Sequence, residues 1–278
     1  MEFYGISGTA HKLLKSYLNN RYQRTVINDN MSKKLSSEWE LIKHGVPQGS
    51  VLGPLLFIVY INDLSLTISK LANTILFADD TSIIISNSNQ DEFKTNINSV
   101  MNEIMNWFQI NLLTLNCNKT HFIQFLTKNK KELQIQIMSP NSIISNINST
   151  SFLGLTIDST LTWKDHIINL TTKLNKASYA IRTIKPFMTI NVIRTVYFSY
   201  FHSVMSYGII FWGNSHLSTN IFRIQKRIIR IITNKGKRDS CRQLFKTLQI
   251  LTVPSQYIFS LLVFVTKNGT VSIKLRYT

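Results

Sequence analysis

Asp79 and Asp80 stand side by side between two apolar runs of β type, Thr74–Ala78 and Thr81–Ser86. Adjacent carboxylates in such a setting repel one another unless a cation sits beside them. Magnesium is held through one or two carboxylates together with substrate phosphates, so the pair suits phosphoryl transfer. A solvated turn is the competing reading, because Asp is a common turn residue. A second set of chemical groups lies far downstream. Arg223, Lys226, Arg227 and Arg230 fall opposite the isoleucines Ile221, Ile224, Ile228 and Ile231 at helical spacing, and Lys235, Lys237 and Arg238 extend the charge. Such a ridge binds phosphates by releasing counterions, without reading sequence. A plain solvated helix face and a helix lying on a membrane surface are the alternatives.

These groups need elements to place them. A helix is expected over His11–Leu18, then a strand at Arg24–Asn28 with a partner around Glu38–Ile42. Gly45-Val46-Pro47-Gln48-Gly49-Ser50 is too rich in Gly and Pro for a regular element. Pro54 marks a helix start, and that helix should run through Leu55–Leu66. The two apolar runs around the acidic pair predict a hairpin. Asn89 with Glu92 predicts a capping box, followed by a helix with Phe93, Ile97, Val100, Ile104 and Phe108 on one face. Strands are expected at His121–Phe125, Leu133–Met138 and Phe152–Ile157. From Trp163 the pattern turns helical through Ile167, Leu170, Leu174 and Ala177, and the aromatic-rich Val196–Trp212 predicts a buried helix. The fold class is therefore α+β, with a strand-and-helix front and a helical back.

The bulk properties narrow the partners. With 278 residues, 44% hydrophobic and only 16% charged, the chain can bury a real core and does not have the composition of a disordered protein. Cys117 and Cys241 are far apart, which excludes a disulfide framework and suits a reducing compartment in the nucleus or cytoplasm. No secretory signal opens the chain, and Leu55–Ile61 and Ile258–Val265 are too short to span a bilayer of about 20 apolar residues. The net charge of +17 is lopsided: residues 1–110 hold 9 Lys+Arg against 10 Asp+Glu, residues 111–278 hold 22 against 4. A back half charged this way is expected to hold a polyanion.

The run from Gly45 to Phe57, reading Gly-Val-Pro-Gln-Gly-Ser-Val-Leu-Gly-Pro-Leu-Leu-Phe, followed by Tyr60-Ile61-Asn62-Asp63-Leu64 and Phe77-Ala78-Asp79-Asp80, resembles reverse transcriptases of jockey-like non-LTR retrotransposons. Asn116-Cys117-Asn118-Lys119-Thr120 and Phe152-Leu153-Gly154-Leu155-Thr156-Ile157-Asp158 continue the resemblance. The family implies part of a right-hand polymerase palm, an antiparallel sheet with helices, over 1–160, and a helical, basic, thumb-like region over 161–278. It implies RNA-directed DNA synthesis by a two-metal mechanism with Mg2+, an RNA template, a DNA primer and dNTPs, and no membrane. By the same resemblance Asp79 and Asp80 would hold metal, Asp79 directly and Asp80 in support. Pro47, Gln48, Gly49 and Phe77 would line the template and incoming nucleotide, Gly49 because a missing side chain lets backbone approach a ligand. Lys119 would protonate the leaving pyrophosphate. Phe152, Leu153 and Gly154 would grip the primer end, and Arg223, Lys226, Arg227 and Arg230 would contact the duplex backbone.

One departure is expected to matter. The family carries a further motif upstream, Phe-Asp-x-x-x-Ala-Phe-Asp, which supplies a third carboxylate; this chain opens with Glu2-Phe3-Tyr4-Gly5-Ile6, resembling the segment just after it. The expectation is an N-terminally truncated or degenerate copy with little or no polymerase activity of its own. A catalytically dead RNA- or DNA-binding remnant, an unfolded relic with exposed sheet edges, and a group II intron maturase-like reverse transcriptase are the alternatives. Oligomeric state is left open.

Overall fold

A computed structural model describes residues 2–28, 34–68, 71–127, 132–139 and 142–268. The chain divides into two compact units, one of Met1–Cys117 with Ile135–Ile143 and one of Asn118–Gln134 with Ile144–Thr278. Helices and small, mostly antiparallel sheets make an α+β fold.

The first unit opens with α1 (Gly8–Leu18). Two short antiparallel ladders follow, Arg21–Gln23 on Glu40–Ile42 and Val26–Asn28 on Lys34–Ser36. This corrects the single expected strand Arg24–Asn28 and its partner. The break has a local cause: the Thr25 N–H donates to Ser37 Oγ at 3.0 Å while the Ser37 N–H donates to the Thr25 carbonyl at 2.9 Å, pinching the ladder in two. Next come α2 (Leu52–Ile61) and α3 (Leu64–Ile68). The expected single helix Leu55–Leu66 thus starts earlier and breaks in the middle. Pro54 is the third helical residue rather than the first, and it is tolerated because first-turn N–H groups have no intrahelical partner. At the break, the Asp63 carbonyl accepts from Leu66 and Thr67 N–H and the Ser65 hydroxyl donates to the Asn62 carbonyl, which starts the second helix afresh.

Asn73–Phe77 pairs antiparallel with Asp80–Ile84, and α4 (Gln90–Ile110) follows. Asn89 caps α4, its side chain accepting from the Asp91 N–H at 2.9 Å. The reciprocal half of the expected capping box does not form. Asn87 Oδ1 takes the Asn89 N–H at 2.9 Å, and Glu92 instead accepts from the Asn87 amide at 3.2 Å. On α4, Ile97, Val100, Ile104 and Trp107 are buried, while Phe93 and Phe108 are half-buried. Two small clusters form the core, Ile68, Ala72, Val100 and Ile104 in one and Ile61, Leu64 and Trp107 in the other.

In the second unit His121–Phe122 pairs in parallel with Ser145 and Asn146, so the expected strand His121–Phe125 is shorter. The strand expected at Leu133–Met138 is likewise confined to Ile137–Ser139, within the first unit. Phe152–Ile157 is not one strand but a hairpin end: Ser149–Phe152 turns at Leu153-Gly154 onto Leu155–Asp158. Then come α5 (Lys164–Ile184), α6 (Ile190–Val196), a π-helical turn Tyr197–His202, α7 (Ser203–Ser206) and α8 (Ile209–Trp212). The helix expected over Val196–Trp212 is therefore interrupted twice, by the π turn and by Tyr207-Gly208, where Gly208 takes φ +59°. α9 (Ser218–Ile232), α10 (Arg242–Leu248) and α11 (Val253–Lys267) complete the unit. A single cluster of 22 buried apolar residues, including fully buried Tyr197, Phe201 and Trp212, forms its core. Among the described residues no single helix is long and apolar enough to cross a membrane, and the apolar pair α10–α11 is bent by 51°.

Candidate functional site

The acidic pair lies at the tip of the first unit's hairpin. Phe77 is paired with Asp80, so Ala78 and Asp79 form a two-residue turn. Ala78 takes φ +51°, left-handed backbone that costs an L-residue about 1–2 kcal/mol. Asp79 belongs to the turn and Asp80 to the strand, and both carboxylates are exposed. Phe77 is 60% exposed, an apolar ring left open beside them. Two adjacent, solvent-open carboxylates can bind a divalent cation that also takes phosphate oxygens. Among the described residues no three His, Cys, Asp or Glu side chains gather to share a metal.

In the same unit Pro47, Gln48 and Gly49 form a turn, closed by the Ser50 N–H donating to the Pro47 carbonyl at 3.2 Å. Gly49, third in this turn, has φ +80°, the position at which a type II turn demands glycine. Gln48 is thereby presented to solvent at the apex. Ser50 Oγ accepts the Gly53 N–H at 3.1 Å and ties the turn to the start of α2. Gly53 is bare for a packing reason: a Cβ there would lie 2.9 Å from Ser50 Oγ and 3.3 Å from Val46 Cγ2. Arg21, unmarked in the sequence, donates to the Gly45 carbonyl and anchors the loop from the neighbouring ladder.

The second unit holds the other candidates. Lys119 is exposed in the turn 117–119. Phe152, Leu153 and Gly154 make the tip of the Ser149–Asp158 hairpin, with Leu153 and Gly154 both at positive φ, 45° and 82°. Behind the tip, buried Asp158 organises the entry to α5. One oxygen accepts from the N–H and hydroxyl of both Thr160 and Thr162, and the other from the Trp163 N–H at 2.7 Å. Burial alone would push this carboxyl up, but the bonds from Thr162, Thr160 and Trp163 outweigh it and hold the pKa below the ordinary 3.8. His166 is buried, accepting the Thr156 N–H on Nδ1 at 3.3 Å, which leaves the proton on Nε2. Burial and then the Lys173 ammonium keep this imidazole's pKa below its ordinary value. A cavity of about 810 Å3 beside the tip is lined by Gly154, His166, Lys173, Lys176 and Tyr207 among others, with no carboxylate in its wall.

On α9 the buried stripe is Ile221, Ile224, Gln225, Ile228, Ile229 and Ile232; Ile231 is half-buried. Arg223 and Arg227 are exposed and Lys226 and Arg230 half-buried on the other side. Each is placed by a neighbour: Arg223 by Asn220 at 3.2 Å, Arg227 by Asn175, Arg230 by the Asp239 carbonyl at 2.9 Å, and Lys226 over the Phe222 ring at 4.7 Å. Among the described residues no carboxylate pairs with them. Gln225, which the reading of the helix left out, is buried: it donates to Tyr197 Oη and the Leu251 carbonyl and accepts from the Val253 N–H. A lone polar residue inside an isoleucine stripe was the signal for it.

Residues 5–157 match the family model described as reverse transcriptase (RNA-dependent DNA polymerase). Two Drosophila melanogaster proteins are similar along most of the chain. One, described as "Probable RNA-directed DNA polymerase from transposon BS", is 27% identical over 255 residues, 88% of this chain and 28% of that protein. The other, "Probable RNA-directed DNA polymerase from transposon X-element", is 26% identical over 230 residues, 80% of this chain and 24% of that protein. The chain thus spans about a quarter of the length of these relatives. No solved structure matches it significantly.

Proposed function

The chain belongs to the reverse transcriptase (RNA-dependent DNA polymerase) family, and on that premise we propose that it supplies palm and thumb elements for RNA-templated DNA synthesis by a jockey-like non-LTR retrotransposon, acting in the nucleus or cytoplasm. The observation that carries this reading is the placement of the motifs. The Pro47–Gly49 turn, the Phe77–Asp80 hairpin, Lys119 and the Phe152–Gly154 tip all fall within the segment that matches the family, residues 5–157.

On this reading Asp79 and Asp80 hold Mg2+ together with the phosphates of an incoming dNTP, and the ion supplies charge neutralisation at the transferring phosphoryl group. Gln48, raised on a turn that only Gly49 can close without strain, meets the template or nucleotide with Pro47 and Phe77. Lys119 donates a proton to the leaving pyrophosphate. The Phe152–Gly154 tip meets the primer strand, and the α9 ridge holds the duplex through its phosphates. Arginine suits that last task, since its planar fork binds phosphate oxygens in pairs.

A second reading is favoured by one observation, the lack of a third metal-binding side chain beside the acidic pair among the described residues. On it, these 278 residues bind nucleic acid but do not extend a primer alone. Primer extension by the purified chain on an RNA template with Mg2+ and dNTPs, beside an Asp79→Ala/Asp80→Ala control, separates the two. Extension that vanishes in the control supports polymerase chemistry in this chain. No extension with salt-sensitive duplex binding supports the binding reading, and neither extension nor binding sinks both.

A further inference from the structure

The turn Leu153-Gly154 has positive φ at both central residues, the mirror-image geometry that favours Asn-Gly or Gly-Gly. Leucine in the first position is sterically disfavoured, so the turn depends on something outside it. Tyr207 supplies that support in two ways. Its hydroxyl donates to the Leu153 carbonyl at 2.5 Å, and its ring lies 3.2 Å from where a Gly154 Cβ would stand.

Tyr207 is in turn held from behind. Its carbonyl accepts the Nε1–H of fully buried Trp212 at 3.1 Å. The next residue, Gly208, lacks the Cβ that would stand 2.7 Å from Leu155 Cδ2, so the first residue after the tip packs directly on the backbone beside Tyr207. The tyrosine remains 55% exposed, far more than core packing would leave it. The same ring lines the cavity that carries Lys173 and Lys176, so the tip it shapes faces positive charge.

We propose that Tyr207 is a positioning residue: it fixes the backbone of the Leu153-Gly154 tip in the shape that meets the 3′ end of a primer strand. The proposal rests on the reading of that hairpin as a primer contact. Tyr207→Phe keeps the ring and removes only the donor. Gly154→Ala keeps the donor and sets a methyl against the ring at a φ that L-residues avoid.

The test uses the whole chain and two readouts, amide hydrogen exchange across Phe152–Leu155 and affinity for a primer–template with a recessed 3′ end against a blunt duplex of equal length. Tyr207→Phe is expected to speed exchange at the tip about tenfold, the effect of losing one hydrogen bond that gates local opening, while core amides of α5 and α9 stay protected. The preference for the recessed end should fall in the same variant, and Gly154→Ala should reproduce both changes. Unchanged tip exchange in Tyr207→Phe overturns the positioning role. A wild-type chain with no preference for the recessed end overturns the primer-contact reading, and with it the purpose assigned to the tyrosine.

Discussion

The two units hold their candidate residues by different means. In the first, the acidic pair and Gln48 ride on tight turns whose shape is set by one or two local bonds, above clusters of four and three buried residues. Large apolar side chains around them, Phe77 and Val51 among them, stay open. In the second, the hairpin tip and the basic ridge are backed by 22 buried apolar residues and by polar groups such as Asp158 and Gln225 whose bonds are met internally. The acidic pair and Gln48 are thus exposed and supported by small clusters. The hairpin tip and the basic ridge are instead anchored on one large core. Local stability should follow the same division, with low protection around the acidic turn and high protection in α5 and α9.

The largest effect should come from the second core. Trp212→Ala removes a fully buried side chain and the donor to the Tyr207 carbonyl, and should cost about 3–5 kcal/mol in urea unfolding followed by near-ultraviolet circular dichroism. Trp107→Ala in the first unit, where fewer neighbours surround the ring, should cost visibly less; equal costs would break the comparison. Asp158→Asn should come next, at roughly 2 kcal/mol, because it disturbs the bonds that start α5. Its pH dependence has a fixed sign. The carboxyl's pKa is lower folded than unfolded, so its stabilisation is present above the unfolded value near 3.8 and is lost as pH falls through the folded one. The gap between wild type and Asp158→Asn should thus be level near neutrality and close in acid.

Arg227→Glu with Arg230→Glu should weaken duplex binding about tenfold at low salt and flatten the salt dependence by about two phosphate contacts. Unchanged binding would remove the ridge from the interface. The smallest effect should be Ala78→Gly, which relieves left-handed strain at the acidic turn but adds chain entropy to the unfolded state; a net gain below about 1 kcal/mol is expected. A large loss instead would mean that the first unit's turn is tied down more firmly than its exposed surroundings imply.

Much of this was legible in the sequence where a single period governs a long segment. Ile167, Leu170, Leu174 and Ala177 on α5 and Ile97, Val100 and Ile104 on α4 are buried as their spacing predicts. The hairpin around Asp79 and the loop around Gln48 also follow from the residues, as does membership of the family. What escaped is set by single hydrogen bonds or by contacts distant in sequence. The ladder broken at Thr25 depends on Ser37, the split between α2 and α3 on carbonyls at Asn62 and Asp63, and the turn inside Phe152–Ile157 on Tyr207. Periodicity carries no information about any of these. Gln225 and Arg21 were missed for a related reason, since the partners that fix their side chains lie far off in the sequence.

The π-helical turn Tyr197–His202 has a bearing on how this protein can change. Tyr197, Phe201, Met205 and Ile209 are spaced by four, a rhythm that a plain α-helix would carry steadily off the buried face, and the wider turn absorbs part of that drift. It acts as a phase adjuster between α6 and the segment that delivers Tyr207 and Trp212. Adding one residue there would swing everything downstream by about 100° around the helix axis. Tyr207 would then leave the tip and Trp212 the core, with no side chain altered. Substitutions along this stretch can be tried one at a time, but a residue cannot be added without moving the hairpin's support.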